Sequence, residues 1–351
     1  MEITGTAQKQ AWVDRTVPPI EQVAPLVWSV PIDFGHSPVR YTFSYLVKNE
    51  AGQCIVIDPG WESELGWSQL EAELAQAGVA LADIVGIVVT HLHADHLGMA
   101  KLLAERTGAW IGMHPMEGKT MGEYPSVEYA VARDSEWSRR VGVPDDQMEL
   151  TVITPDAVEY THALARPTLL LQNGDYIPLE GRRLRVVFTP GHTSGHICIV
   201  DEDSELIFTG DHVLPRITPN VGMTSYPDND SLGEYYASLE LMPEWDDFEV
   251  CPAHEYRFRG LATRSAELRD HHLARSQEML DALAGTDGLT VWQIAERISW
   301  ARGWAGLNGL NLRAALYETA AHITYLTRTG VITWGPAAPE TTPWIATLTT
   351  P

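Results

Sequence analysis

Apolar residues in the first half of the chain come in short β-branched runs separated by turn residues. Residues 27–32, 41–47 and 53–57 read as strands, and Asp58-Pro59-Gly60 stops the third. Residues 68–77 form a helix with Leu70, Leu74 and Ala77 on one face. Residues 84–89 are continuously apolar and β-branched, the pattern of a strand buried on both faces, and they lead straight into His91. Beyond Leu97 the spacing turns helical through Ala104, and residues 110–113 read as another strand.

Residues 117–165 break this pattern. They hold ten acidic and four basic residues without strand alternation, which predicts a helical insertion. Strands resume at 184–188, 197–200 and 206–208, with one more ending near Val250. From Thr263 the pattern is helical. One long helix covers 264–283 and ends at Gly285, and Thr290 with Gln293 forms a capping box that opens a second. Leu312, Leu316, Ala320, Ile323 and Leu326 share a face of a third, with Gly330 as its C-terminal cap. Residues 331–334 read as a short strand and the tail from Pro336 as irregular. The order implies an α+β domain over 1–262, carrying the 117–165 insertion, and a small helical, winged-helix-like domain over 263–351.

Composition narrows the partners. With 24 Lys and Arg against 47 Asp and Glu, the net charge is −23. Such a surface repels phosphate backbones and anionic membranes, so neither nucleic acid nor membrane is expected as a partner. The chain contains no 18-residue apolar run of the kind that spans a bilayer, and the polar first ten residues lack the apolar core of a secretion signal. Cys54, Cys198 and Cys251 are too few for a disulfide framework, and Cys54 and Cys198 lie in apolar strand-like runs. A reducing cytoplasm is the compartment expected from this cysteine usage.

The chemistry concentrates at Thr90-His91-Leu92-His93-Ala94-Asp95-His96, at the end of the buried strand. In an extended segment His91 and His93 point to one side, and Asp95 and His96 follow where a helix begins. Four imidazole or carboxylate groups within six residues are the donors that zinc and related ions accept in hydrolytic sites.

This motif resembles the signature of the metallo-β-lactamase fold superfamily, and three further segments resemble its remaining motifs in order. They are residues 189–196, with His192; residues 208–212, with Asp211; and residues 251–254, ending in His254. The match covers roughly residues 20–260 and implies a four-layer αβ/βα sandwich. It further implies two adjacent divalent metal ions, zinc first, with iron or manganese as alternatives. His91, His93 and His192 would hold one ion, Asp95, His96 and His254 the other, and Asp211 would bridge them. Metal-bound hydroxide would attack a carbonyl, with Asp95 as the catalytic residue that orients the water or receives its proton. No protein nucleophile is required.

Other residues leave alternatives open. Asp58 resembles a family position that supports the site from behind, and a local turn role fits equally. His196 and His212 lie inside the motifs without being family ligands and fit packing or hydrogen bonding. His36 and His114 fit structural roles near the cleft. His271, His272 and His322 lie on later helices, where surface or packing roles fit better than a place in the cleft.

Residues 210–220 resemble the subgroup of β-lactamase-like protein 2, whose members carry a similar C-terminal domain and include thioesterases, ester hydrolases and a ribonuclease. Residues 263–351 hold seven arginines, no lysine and eight acidic residues, which gives no basic face for DNA. Their five tryptophans, Trp292, Trp300, Trp304, Trp334 and Trp344, fit a small core or the interface of a homodimer. A sharper reading makes them an apolar wall for an acyl chain. The leading function is hydrolysis of a small-molecule ester or thioester, of coenzyme A or an acyl carrier, ahead of lactones. Phosphodiester cleavage as a ribonuclease and iron-dependent sulfur dioxygenation are the competing enzyme classes, and a non-catalytic binding module ranks last.

Overall fold

The computed structural model describes residues 1–33, 35, 39–122, 124–222, 229–336 and 343–349. It divides into two compact units. One comprises Met1–Met121, Ala163–Pro219 and Ser238–Ala266, and the other Gly122–His162, Asn220–Ala237 and Glu267–Pro351.

In the first unit, β1 (Glu2–Ile3) lies at the edge of one sheet. The next seven strands form the other sheet in chain order: β2 (Glu21–Ala24), β3 (Val27–Asp33), β4 (Tyr41–Lys48), β5 (Cys54–Ile57), β6 (Ile84–Val88), β7 (Trp110–Met113) and β8 (Leu169–Leu170). Then β9 (Leu184–Phe188), β10 (Ile197–Asp201), β11 (Leu206–Gly210), β12 (Glu249–Pro252) and β13 (Phe258–Arg259) complete the first sheet in the order β1-β13-β12-β11-β10-β9.

Period-two alternation decides which side chains meet. Tyr41, Phe43, Tyr45 and Val47 of β4 turn to one face. There they meet Leu184, Val186, Ile197, Ile199 and Phe208 of the opposite sheet in one buried core. Tyr45 and Phe208 have ring centroids 4.9 Å apart. Leu46, Cys54, Val56, Ile84 and Ile87 face the other way, onto Trp67, Leu70 and Leu74 of the helix Glu64–Gln76 and Leu103 of the helix Ala100–Thr107. The fold is the αβ/βα sandwich that the motifs imply.

This topology aligns the strand ends. β5 runs parallel to β6, and β11 parallel to β12. β9 has the same sense as β11, because each is antiparallel to β10. The chain leaves β5 into Asp58, β6 into Thr90 and His91, β9 into Thr189, β11 into Asp211 and β12 into His254. Carboxyl ends of aligned strands are where open α/β sheets bind ligands, because the loops that follow them can converge there.

In the second unit Trp137, Val141 and Val143 of the inserted segment share a core with Met279, Val291, Ile294, Leu316 and Ile323. Of the 117–165 segment expected as an insertion into the first domain, residues 122–162 therefore group by contact with the C-terminal helices, and its two ends stay with the first unit. The capping box forms as expected: Gln293 N donates to Thr290 Oγ1 at 3.1 Å and Thr290 N to Gln293 Oε1 at 3.0 Å. Trp292 and Trp304 meet edge to face at 5.0 Å, and Trp300, Trp304 and Trp334 pack against this core. One expectation needs correction. The tail is not irregular throughout, because β14 (Ile332–Pro336) pairs antiparallel with β15 (Trp344–Leu348). Ala346 of β15 is fully buried, so the ribbon closes the core although Pro and Thr dominate the tail's composition. Among the described residues all three cysteines are buried and free, and no helix is long and apolar enough to cross a membrane.

Buried Asp134 ties this unit together. Its carboxylate accepts from Arg313 at 2.6 and 2.8 Å, from Tyr317 Oη at 2.8 Å and from Ile153 N at 2.5 Å. Asp134→Ala would leave the Arg313 guanidinium, 18% exposed, without its counter-charge, so equilibrium urea unfolding should show a loss of up to about 3 kcal/mol. A change below about 1 kcal/mol would mean that water reaches Arg313 and replaces the carboxylate.

Candidate metal centre

The site assembles from strand ends. β6 delivers Thr90 and His91, and the short helix Ala94–Leu97 turns Asp95 and His96 back toward His91. Three groups of donors have all their ligand atoms within 4.8 Å: His91, His93 and His192; His91, His96 and Asp211; and Asp95, His96 and His254. All seven residues expected from the sequence are thus brought together.

The distances gather the donors on either side of one carboxylate, Asp211. His93 Nδ1 lies 2.9 Å from His91 Nε2 and 3.0 Å from His192 Nε2. Asp211 Oδ2 is 3.6 Å from His192 Nε2. Its other oxygen, Oδ1, is 3.3 Å from His254 Nε2 and 3.6 Å from His96 Nε2. Asp95 Oδ2 closes this second set at 3.4 Å from His254 Nε2 and 3.6 Å from His96 Nε2. Donors about 2.0–2.1 Å from one tetrahedral ion stand roughly 3.3 Å apart, so these spacings suit zinc-sized ions.

Atoms behind the donors fix which nitrogens face inward. Asp58 leaves β5 in a left-handed turn, φ +50°. Its Oδ1 accepts from Thr90 N at 2.7 Å, and its Oδ2 from Thr90 Oγ1 at 2.7 Å and His96 Nδ1 at 2.9 Å. The Thr90 hydroxyl proton is engaged by Asp58, so His91 Nδ1 donates to Thr90 Oγ1 at 3.1 Å. His254 Nδ1 donates to Tyr41 O at 2.9 Å. Each outward N–H leaves the Nε2 lone pair for the centre, the arrangement that raises ligand basicity. Both readings of Asp58 therefore hold, since one residue makes the turn and supports the site.

Electrostatics favour a cation among these donors. Burial holds His91 well below its ordinary pKa and lowers His93 to about 3, so both rings are neutral ligands. Burial also opposes charging of His96 and His254, yet Asp95 and Asp211 outweigh it, raising His96 well above the usual range and His254 to about 10. The field that would protonate these rings favours a divalent ion in their midst. Buried His96 Nε2 and Asp211 Oδ1 make no hydrogen bond, as expected of atoms reserved for a metal.

Sequence reasoning missed one participant. Glu117, fully buried, accepts from Thr193 Oγ1, Gly195 N and Leu92 N at 2.5, 2.8 and 3.2 Å, and burial raises its pKa to about 7. Its position at the start of an acidic insertion gave no signal of this. His196 takes the hydrogen-bonding role left open for it, accepting from Asp211 N at 3.2 Å while Nδ1 donates to Thr189 Oγ1 at 2.9 Å. Gly210, φ +48°, lets β11 turn there, since a Cβ would fall 2.7 Å from His196 Nε2. His212 is buried, and His114 stacks on Phe188 at 4.1 Å. His272 and His322 belong to the second unit, buried and 3.2 Å apart between nitrogens, and His271 lies beside His272. His36 lies outside the described residues.

The sequence profile described as Metallo-beta-lactamase superfamily matches residues 37–254. The chain belongs to that superfamily. Among relatives of this superfamily member, a beta-lactamase-like protein 2 homolog from Caenorhabditis elegans is 23% identical over 305 residues, 84% of this chain and 85% of that protein. An atrochrysone carboxyl ACP thioesterase from Aspergillus chevalieri is 32% identical over 133 residues, 36% of this chain and 41% of that enzyme. A solved metallo-beta-lactamase family protein from Thermus thermophilus superposes with a TM-score of 0.76 at 25% identity, over 93% of this chain and all of the other. The fold implies divalent metal ions, and the donor set fits them.

Removing the support behind His96 tests the architecture. Asp58→Asn offers one acceptor oxygen to the three donors Thr90 N, Thr90 Oγ1 and His96 Nδ1, so zinc affinity measured by competition with a chromogenic chelator should fall about 10–100-fold. Unchanged affinity would show that His96 needs no such partner.

Proposed function

We propose that this superfamily member is a dinuclear metal-dependent hydrolase acting on a carbonyl ester, with thioesters of coenzyme A or an acyl carrier ahead of lactones and oxygen esters. The observation that carries the reading is Asp211, one of whose oxygens faces His192 at 3.6 Å while the other faces His96 and His254 at 3.6 and 3.3 Å. In this reading His91, His93 and His192 hold one ion, Asp95, His96 and His254 the other, and Asp211 bridges them, with zinc the first choice.

When bound, such ions supply Lewis-acid polarisation of a carbonyl and lower the pKa of water toward neutrality. The chain's own groups hold the geometry and move the proton. Asp95 keeps 22% of its side chain exposed, more than Asp211 at 13%, and its Oδ2 lies 3.4 Å from Thr42 Oγ1. A carboxylate so placed can orient an attacking water and take its proton. In this reading the Nε2 lone pairs of His91, His96 and His254 are committed to the ions and those rings would not serve as bases, so Asp95 is the proposed catalytic residue.

The Aspergillus relative named as a thioesterase supports the substrate class. The net charge of −23 opposes a polyanionic substrate such as RNA, whose binding relies on cationic side chains.

Elemental analysis should find close to two zinc ions per chain. Asp211→Ala should lose both, since one carboxylate serves two positions, and His192→Ala mainly one. The zinc-loaded protein should hydrolyse acyl thioesters and leave RNA intact at physiological salt. RNA cleavage with inert thioesters would favour the phosphodiesterase, and oxygen consumption by an iron-loaded form the sulfur dioxygenase. An intact metal pair in Asp211→Ala would defeat the bridging assignment.

A further inference from the structure

We infer that Glu117 is a positioning residue that sets one of the two metal positions, that of His91, His93 and His192, and leaves the other alone. The inference rests on the two-ion reading above. Glu117 lies on the helix Pro115–Met121, directly after β7. Its Oε2 accepts from Leu92 N at 3.2 Å, between His91 and His93. Its Oε1 accepts from Thr193 Oγ1 at 2.5 Å and Gly195 N at 2.8 Å, on the chain just past His192.

One buried carboxylate thus spans the two loops that supply all three imidazoles of that group. These loops come from different sheets, β6 and β9, and nearly a hundred residues of chain separate His93 from His192, so local structure cannot set their spacing. The second group is tied from elsewhere, His96 to Asp58 and His254 to Tyr41 O.

The contact is also sterically committed. A Cβ on Gly195 would fall 2.6 Å from Glu117 N and 2.8 Å from Glu117 Oε1, so only glycine lets this loop approach the carboxylate. All three donors to Glu117 are neutral, and a buried carboxylate without a cation carries a desolvation cost that a neutral side chain would avoid. What the carboxylate adds is acceptor capacity: two oxygens can hold three donors on two loops, whereas an amide offers one oxygen. A binding constellation must be held within about 0.5 Å to work, and this bridge fixes the separation of His192 from the His91–His93 pair.

Glu117→Gln retains size and loses the acceptor for Leu92 N. Wild type, Glu117→Gln, Thr193→Val and His192→Ala, each zinc-loaded, would be titrated with a chromogenic chelator while zinc per chain is counted. We expect two tight zinc ions in wild type. Glu117→Gln should keep one at wild-type affinity and bind the other about 10–100-fold more weakly. Thr193→Val, which removes one of the three contacts, should loosen the same ion by less, and it carries the comparison if Glu117→Gln does not fold. Adding Glu117→Gln to His192→Ala should not weaken the remaining zinc. Equal weakening of both ions, or two unchanged affinities with only a lower melting temperature of the metal-free protein, would overturn the inference. A wild-type chain that takes up a single zinc would sink the two-ion reading itself.

Discussion

Four imidazole and carboxylate groups from one segment meet three more from distant strand ends, and their geometry depends on the groups that grip them from behind. In this protein the grip begins with Asp58. Its carboxylate accepts from the Thr90 amide, the Thr90 hydroxyl and His96, and Thr90 in turn accepts from His91. The end of β5, the end of β6 and two of the imidazoles are thus one hydrogen-bonded network. Buried polar networks of this kind are either fully satisfied or costly. In this one His96 Nε2, turned toward the centre, is left without a hydrogen bond, as is Asp211 Oδ1 across from it.

The second sheet repeats the logic with different residues. His196 accepts from the Asp211 amide and donates to Thr189, so β9 and β11 are registered at the point where the chain turns into the site. Gly210 permits that turn because its neighbours leave no room for a Cβ. Glu117 then joins the two sheets' loops. Three buried side chains that bind no metal in this scheme, Asp58, His196 and Glu117, therefore place most of the ones that do.

The two compact units depend on different physics. The first is organised by strand alternation, with aromatic residues of β4 facing the opposite sheet. The second relies on helix packing and on an ion pair: Arg313 reaches Asp134, and through that contact the inserted segment and the C-terminal helices share one core. The expected domain boundary followed chain order, whereas the contacts group 122–162 with the C-terminal helices. An ion pair between residues so far apart leaves no trace in hydrophobic periodicity.

The sequence by itself made legible most of the longer strands and the seven side chains that the structure gathers. Continuous apolar runs such as 84–88 name their own structure, and His91, His93, Asp95 and His96 lie so close in the chain that their meeting is local geometry. His192, Asp211 and His254 were legible because each lies within four residues of a strand's end in a recognisable motif. Short edge strands such as β1 and β8, with two residues each, were beyond periodicity, since two residues carry no period. The pairing of β15 with β14 was hidden because its partner lies across a tail rich in Pro and Thr. Asp58 read equally as a turn residue or a support of the site, His196 as packing or hydrogen bonding, and Glu117 as one more acid in a polar stretch. Only the tertiary structure decided their roles, because hydrogen-bond partners from distant strands are set by sheet packing and not by neighbours in the chain.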